Sequence, residues 1–89
     1  MPEYRVTLAR SARKELERLE DDMLCRVLSK IESLSSVPRP HDSRKLRAQS
    51  GLWRVRIGDY RVIYSINDER RVVDVAGIRH RSDAYRTKP

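Results

Sequence analysis

The segment Leu52–Tyr64, LWRVRIGDYRVIY, constrains the fold more than any other part of the chain, because two runs of alternating side chains flank a two-residue turn. Successive side chains on a strand point to opposite faces. Trp53, Val55 and Ile57 therefore share one face, the core side, while Arg54 and Arg56 share the other. Gly58-Asp59 places glycine first, as a type II′ hairpin turn prefers, and Tyr60, Val62 and Tyr64 resume the apolar alternation. In that register Ile57 opposes Tyr60 and Arg56 opposes Arg61. Arg54, Arg56 and Arg61 then lie together on the outer face with no carboxylate among them. Like charges directly opposite in a sheet are unfavourable by a few tenths to about 1 kcal/mol, so this cluster points to an anionic partner.

The remaining patterns supply what packs on the apolar side. Tyr4, Val6 and Leu8 alternate with Arg5 and Thr7, which predicts a first short strand. Ala9, Ala12, Leu16 and Leu19 recur at helical spacing, with Ser11 expected to cap the start. Met23, Leu24, Val27, Leu28, Ile31 and Leu34 form the apolar stripe of a second helix, expected to be capped by Asp21 or Asp22 and ended by Ser35-Ser36, Pro38 and Pro40. The stretch 39–51 carries Arg39, His41, Arg44, Lys45 and Arg47 with Leu46 as its one clear apolar anchor, and reads as a loop. Asn67-Asp68-Glu69-Arg70 marks a second turn before a last strand around 71–78, in which Gly77 signals a bulge or a close backbone approach. The predicted order is β-α-α-β-β-β. It describes a two-layer α+β domain in which an antiparallel sheet packs on a helical hairpin and leaves its opposite face open.

Eighty-nine residues suffice for one such domain, spanning 1–89. The 20 lysines and arginines outnumber the 13 acids to give a formal charge of +7, which favours nucleic acid or an acidic protein as partner. The single cysteine, Cys25, cannot form an intramolecular disulfide and falls in an apolar helical stretch, so a buried thiol in a reducing compartment is expected. No apolar run reaches the roughly 18 residues of a membrane span and no signal-peptide core is evident, so a cytoplasmic location without membrane contact is expected. Two separated histidines and one cysteine make no zinc pattern, and no phosphate-cradling glycine loop occurs. Neither a metal nor a cofactor is implied.

The predicted order, the segment WRVRIGDYRVIYSI and the ending HRSDAYR together resemble the RelE/ParE superfamily of bacterial and archaeal toxins over nearly the whole chain. GDYRVIY resembles a frequent signature of that superfamily; the outward basic residues and the terminal tyrosine resemble the RelE branch more particularly. That resemblance implies a toxin of a type II toxin–antitoxin pair that cleaves messenger RNA in the ribosomal A site without a metal. By position in the motif, Arg54, Arg56 and Arg61 are implied as phosphate-binding and charge-stabilising groups, and Arg79 or Arg81 as the helper near the leaving group. Arg54 and Arg56 stand where relatives often carry lysines; a guanidinium that stays protonated suits phosphate binding and not proton abstraction. Tyr85 matches the family's C-terminal tyrosine, implied to stack on a base and polarise the substrate hydroxyl. His80 is a candidate proton carrier that many relatives lack. Arg44, Lys45 and Arg47 are candidates for holding message or ribosomal phosphates. The implied partner is a cognate, acidic antitoxin that wraps the toxin, with operator DNA reached only through that complex. Two alternatives share the fold: a ParE-like poison that inhibits DNA gyrase and cleaves nothing, and a degenerate toxin retained as a DNA-associated binding module.

Overall fold

A computed structural model describes residues 3–46 and 51–81. The elements run β1 (Arg5–Leu8), α1 (Arg10–Glu17), α2 (Asp21–Ser33), β2 (Ser43–Lys45), β3 (Leu52–Ile57), β4 (Tyr60–Asn67) and β5 (Val72–His80). Among the described residues the strands form one five-stranded sheet in the order β1-β5-β4-β3-β2. The helices cover one face. Ala12 and Leu16 from α1 and Val27, Ile31 and Leu34 at α2 bury against Val55, Ile57, Val62, Tyr64, Val73, Val75 and Ile78 of the sheet.

The β3–β4 hairpin forms in the expected register, with Ile57 opposite Tyr60, Arg56 opposite Arg61 and Val55 opposite Val62. Gly58 has φ +59° while Asp59 keeps a negative φ, the combination a type II′ turn requires. The second turn also forms where the sequence places it. The Asn67 side-chain oxygen accepts the Arg70 N–H at 2.9 Å, and β5 then runs two residues beyond its expected end. Between β4 and β5 the register shifts: Ile63 pairs with Gly77 but Tyr64 pairs with Val75, so Ala76 is the extra residue of a bulge. That shift keeps Val73 and Val75 in the core below it and Ile78 in the core above it.

Several expectations are corrected. Part of the stretch read as a loop is strand, because Ser43–Lys45 pairs with β3 and adds an edge that three residues are too short to announce by alternation. The sheet is mixed rather than antiparallel throughout, since β1 pairs parallel to β5. Local pattern carries no information about strand direction when two helices intervene. Cys25 is exposed, on the solvent side of α2. Ser11 lies inside α1, not at its start: the N-cap is Ala9, and the Ser11 hydroxyl donates to the Ala76 carbonyl at 3.2 Å. The N-cap of α2 is Glu20, with Asp21 and Asp22 in the first turn, where they favour the helix dipole.

Two polar ties fasten the connecting segments to the sheet. The fully buried Tyr64 donates its hydroxyl to the Pro38 carbonyl at 2.9 Å, and burial raises its pKa above the ordinary phenol value. Asp68 accepts from Tyr4 at 2.6 Å and from Arg39 at 2.8 and 3.3 Å, joining the start of β1, the segment before β2 and the β4–β5 turn. Arg39 also lies over the Trp53 ring, 5.4 Å from its centroid. The Arg39 guanidinium, and after it the Tyr4 hydroxyl, hold the Asp68 carboxyl below its ordinary range.

Two stability predictions follow from this packing. Leu34→Ala opens a fully buried site and lowers unfolding free energy by about 3 kcal/mol in denaturant titrations. The lowered pKa of Asp68 makes its contribution complete above the unfolded carboxylate range and lost as pH falls through the folded value. Asp68→Asn therefore removes part of the acid dependence of stability, read as a flatter melting temperature between neutral and strongly acidic pH.

Candidate nucleic-acid interface

The sheet face away from the helices carries the arginines. Alternation along β3 sends Arg54 and Arg56 outward while Val55 and Ile57 go inward. Cross-strand pairing then brings further arginines level with them. Arg44 of β2 pairs with Arg54, Arg56 pairs with Arg61 of β4, and Arg61 pairs with Arg79 of β5. Among the described residues, five arginines from four strands thus share one end of this face. The uncharged members of the same rows are Ile63 and Gly77.

The electrostatics bear the mark of that crowding. The Arg54 pKa is lowered from its ordinary value, chiefly by burial and then by the positive charges of Arg61, Arg56 and Arg44. Arg61 is half-buried, and its Nε is buried with no hydrogen-bond partner among the described residues. A buried donor without an acceptor is costly, the more so on a charged group. An anion with several acceptor oxygens answers the crowding, since it offsets the like charges and accepts from the accessible N–H groups of the guanidinium forks. The basic surface also continues past the end of β2. Arg26, Ser29, Lys30 and Ser33 of α2 face Arg56 across an open groove of about 580 Å³, in which Lys30 is held by Asp42 at 3.0 Å.

The other candidates fall into three groups. Arg79 belongs to the outer face by register, yet its Nη1 is drawn over Gly77 to the Glu15 carboxylate at 2.7 Å. Arg81 sits at the hairpin tip, its N–H donated to the Asp59 carbonyl at 2.7 Å and its guanidinium 3.8 Å from the Asp59 carboxylate, both side chains exposed. His80 and Lys45 are not brought together with the arginines. His80 packs edge-on against Tyr60 at 5.0 Å and lines a pocket of about 210 Å³ with Glu15, Arg18, Leu19 and Ile78 on the helix side. Lys45 pairs with Trp53 and so takes the core-side parity of β2. Arg47 and Tyr85 lie outside the described residues. Sequence reasoning missed Glu15 and Arg26; both stand just off the apolar stripes of their helices, where a charged side chain reads as solvated unless the tertiary neighbour is known. Among the described residues no group of three potential metal-ligating side chains occurs, and no helix is long and apolar enough to cross a membrane.

A sheet that gives one face to a helix pair and clusters guanidinium groups on the other defines a small α+β domain with a basic open face. The chain belongs to the RelE/ParE superfamily: residues 6–85 match the family described as ParE toxin of type II toxin-antitoxin system, parDE, which makes the protein a toxin of such a system. It is similar to the toxin RelG of Mycobacterium tuberculosis, with 32% identity over 93% of this chain and 97% of the relative. The toxin RelE of the same organism is 33% identical over 97% of this chain and 90% of its own. Among solved structures, the archaeal RelE–RelB complex from Pyrococcus horikoshii matches with a TM-score of 0.80 at 33% identity, covering 89% of this chain and 96% of that one.

The cluster predicts opposite effects on folding and binding. Arg56→Gln removes one cross-strand repulsion, so stability stays level or rises by a few tenths of a kcal/mol in thermal unfolding. The same substitution makes the slope of log affinity against log salt for single-stranded RNA shallower by about 0.7. A loss of stability with an unchanged salt slope would show that Arg56 serves the fold instead.

Proposed function

We propose that the protein is a metal-independent endoribonuclease that cleaves messenger RNA on the ribosome and so inhibits translation. The observation that carries this reading is the arginine cluster on the open face, set on the fold of relatives that bear the RelE name. In the proposed reaction the 2′-oxygen of a nucleotide attacks its own 3′-phosphate, forming an O2′–P bond and breaking the P–O5′ bond. The 2′-hydroxyl loses a proton and the departing 5′-oxygen gains one, so neither a metal nor an outside nucleophile is required. Charge builds on the equatorial oxygens of the phosphorane. Guanidinium groups fixed on a rigid sheet are suited to that charge because their donors need not reorganise as it develops.

In this reading Arg54, Arg56 and Arg61 hold the scissile phosphate through their guanidinium groups. Arg79 is favoured over Arg81 as the helper near the leaving group, because it stands next to Arg61 across the sheet. Tyr85 keeps the role the family motif implies, stacking on a base and polarising the attacking hydroxyl. Arg44 and Arg47 hold flanking phosphates of message or ribosomal RNA, while Lys45, on the opposite side of β2 from Arg44, is set aside from that role. His80, placed on the helix side against Tyr60, serves packing in preference to proton transfer. The partner that restrains the toxin is a cognate antitoxin, a reading supported by the complexes of solved relatives with RelB; an acidic antitoxin covering the arginine face would complement its charge. Action on translated message places the protein in the cytoplasm.

A second reading is favoured by the name of the matching family: a ParE-like toxin that inhibits DNA gyrase. One experiment separates the two. Primer extension on a translated message after brief induction should show in-frame cuts that need translation and vanish in Arg61→Ala. Intact message, halted growth and DNA damage would assign the gyrase reading. Arg61→Ala and Tyr85→Ala should each relieve growth arrest while leaving the circular dichroism of the purified protein unchanged; full toxicity in both would remove the assignment of these side chains.

A further inference from the structure

β1 accompanies β5 only as far as the Leu8–Val75 pair, and the chain then turns into α1. The edge of β5 beyond that pair is served by side chains of α1. Ser11 donates to the Ala76 carbonyl at 3.2 Å, and one oxygen of Glu15 accepts the Ile78 N–H at 2.7 Å. The second oxygen of Glu15 accepts from Arg79 Nη1, also at 2.7 Å. The same Nη1 reaches the Ile78 carbonyl at 3.3 Å.

Gly77 makes this path possible. A Cβ at that position would lie 2.7 Å from Arg79 Nη1 and 3.2 Å from its Cζ, so any larger residue displaces the guanidinium. The glycine has no positive φ, and its use here is space rather than backbone freedom. The Glu15 carboxylate is thus tied at both oxygens, one to the backbone of β5 and one to a side chain that shares its row with Arg61. A surface ion pair between two freely moving side chains fixes little. This pair differs because the strand amide immobilises the acid before the arginine meets it.

We infer that Glu15 is a positioning residue for Arg79, holding its guanidinium at the rim of the arginine face so that its remaining N–H donors meet an RNA phosphate without reorganisation. The inference deepens the nuclease reading and rests on it for the identity of the ligand. Glu15→Gln retains an oxygen able to accept the Ile78 N–H while removing the charge that holds Arg79. Gly77→Ala leaves both charged groups intact and displaces the guanidinium by volume alone.

The first measurement is independent of activity: arginine side-chain NMR of the free protein, following rotation about the Arg79 guanidinium bonds. Restricted rotation in the native protein that becomes fast in Glu15→Gln supports the inference; rotation already fast in the native protein overturns it. In ribosome-bound message cleavage, Glu15→Gln and Gly77→Ala should each lower kcat by about tenfold to a hundredfold with KM changed less than twofold, as misplacement of a group acting in the transition state does. Glu15→Gln combined with Arg79→Ala should be no slower than Arg79→Ala alone. Independent, additive losses would overturn the positioning role. Absence of cleavage by the native protein would remove the nuclease reading while leaving the NMR result to decide whether Glu15 holds Arg79; full cleavage by Arg79→Ala would overturn the functional part of the inference.

Discussion

One register, that of the β3–β4 hairpin, sets both the core and the arginine face. Val55 stands against Val62 on the inner side because Arg56 stands against Arg61 on the outer side. A slip of one residue would carry guanidinium groups into the helix-covered layer and valines into water, a change that no side-chain adjustment could absorb. The type II′ turn at Gly58-Asp59 and the fully buried Val55–Val62 pair beneath it therefore hold a cluster of like charges that the sheet would not assemble for its own stability. Each cross-strand arginine pair opposes folding by a modest amount, and the valine and tyrosine burial below it supplies the larger opposing term.

The rest of the sheet extends this arrangement sideways. β2 adds Arg44 beside Arg54, and the bulge at Ala76 returns β5 to a phase in which Ile78 faces the core and Arg79 faces Arg61. Without the extra residue, continued alternation from Val73 and Val75 would have pointed Gly77 inward and Ile78 outward. The bulge thus reconciles two demands on one strand, and Gly77 next to it leaves the space through which Arg79 reaches Glu15. α1 fills the edge that β1 leaves uncovered, so the helix that packs the core also supplies the acid that meets Arg79.

The legible parts of this molecule were those governed by neighbours in sequence. Alternation gave the hairpin, its turn and the outward direction of Arg54, Arg56 and Arg61, and apolar spacing gave both helices. The strand over Ser43–Lys45 was not legible because three residues carry no measurable period, and its pairing depends on the edge that β3 offers. The apolar run around Cys25 predicts a buried thiol, but its angular position on α2 turns it to solvent, while Val27 and Ile31 face the sheet. Proximity in the chain groups His80 with Arg79 and Arg81, yet alternation along β5 places it against Tyr60 on the other side.

The sequence by itself determined the α+β class, the hairpin register and a one-sided concentration of arginines, because strand period, turn chemistry and charge are local properties. The match to the RelE/ParE superfamily follows from the same linear signal. Only the tertiary structure decided that β1 runs parallel to β5, that Arg44 joins the cluster through a fifth strand, and that Arg79 is held by Glu15 from 64 residues away in the chain. Those outcomes depend on which edges meet and on which side chains fill the space at a strand's end, and such contacts are made by residues that no local pattern connects.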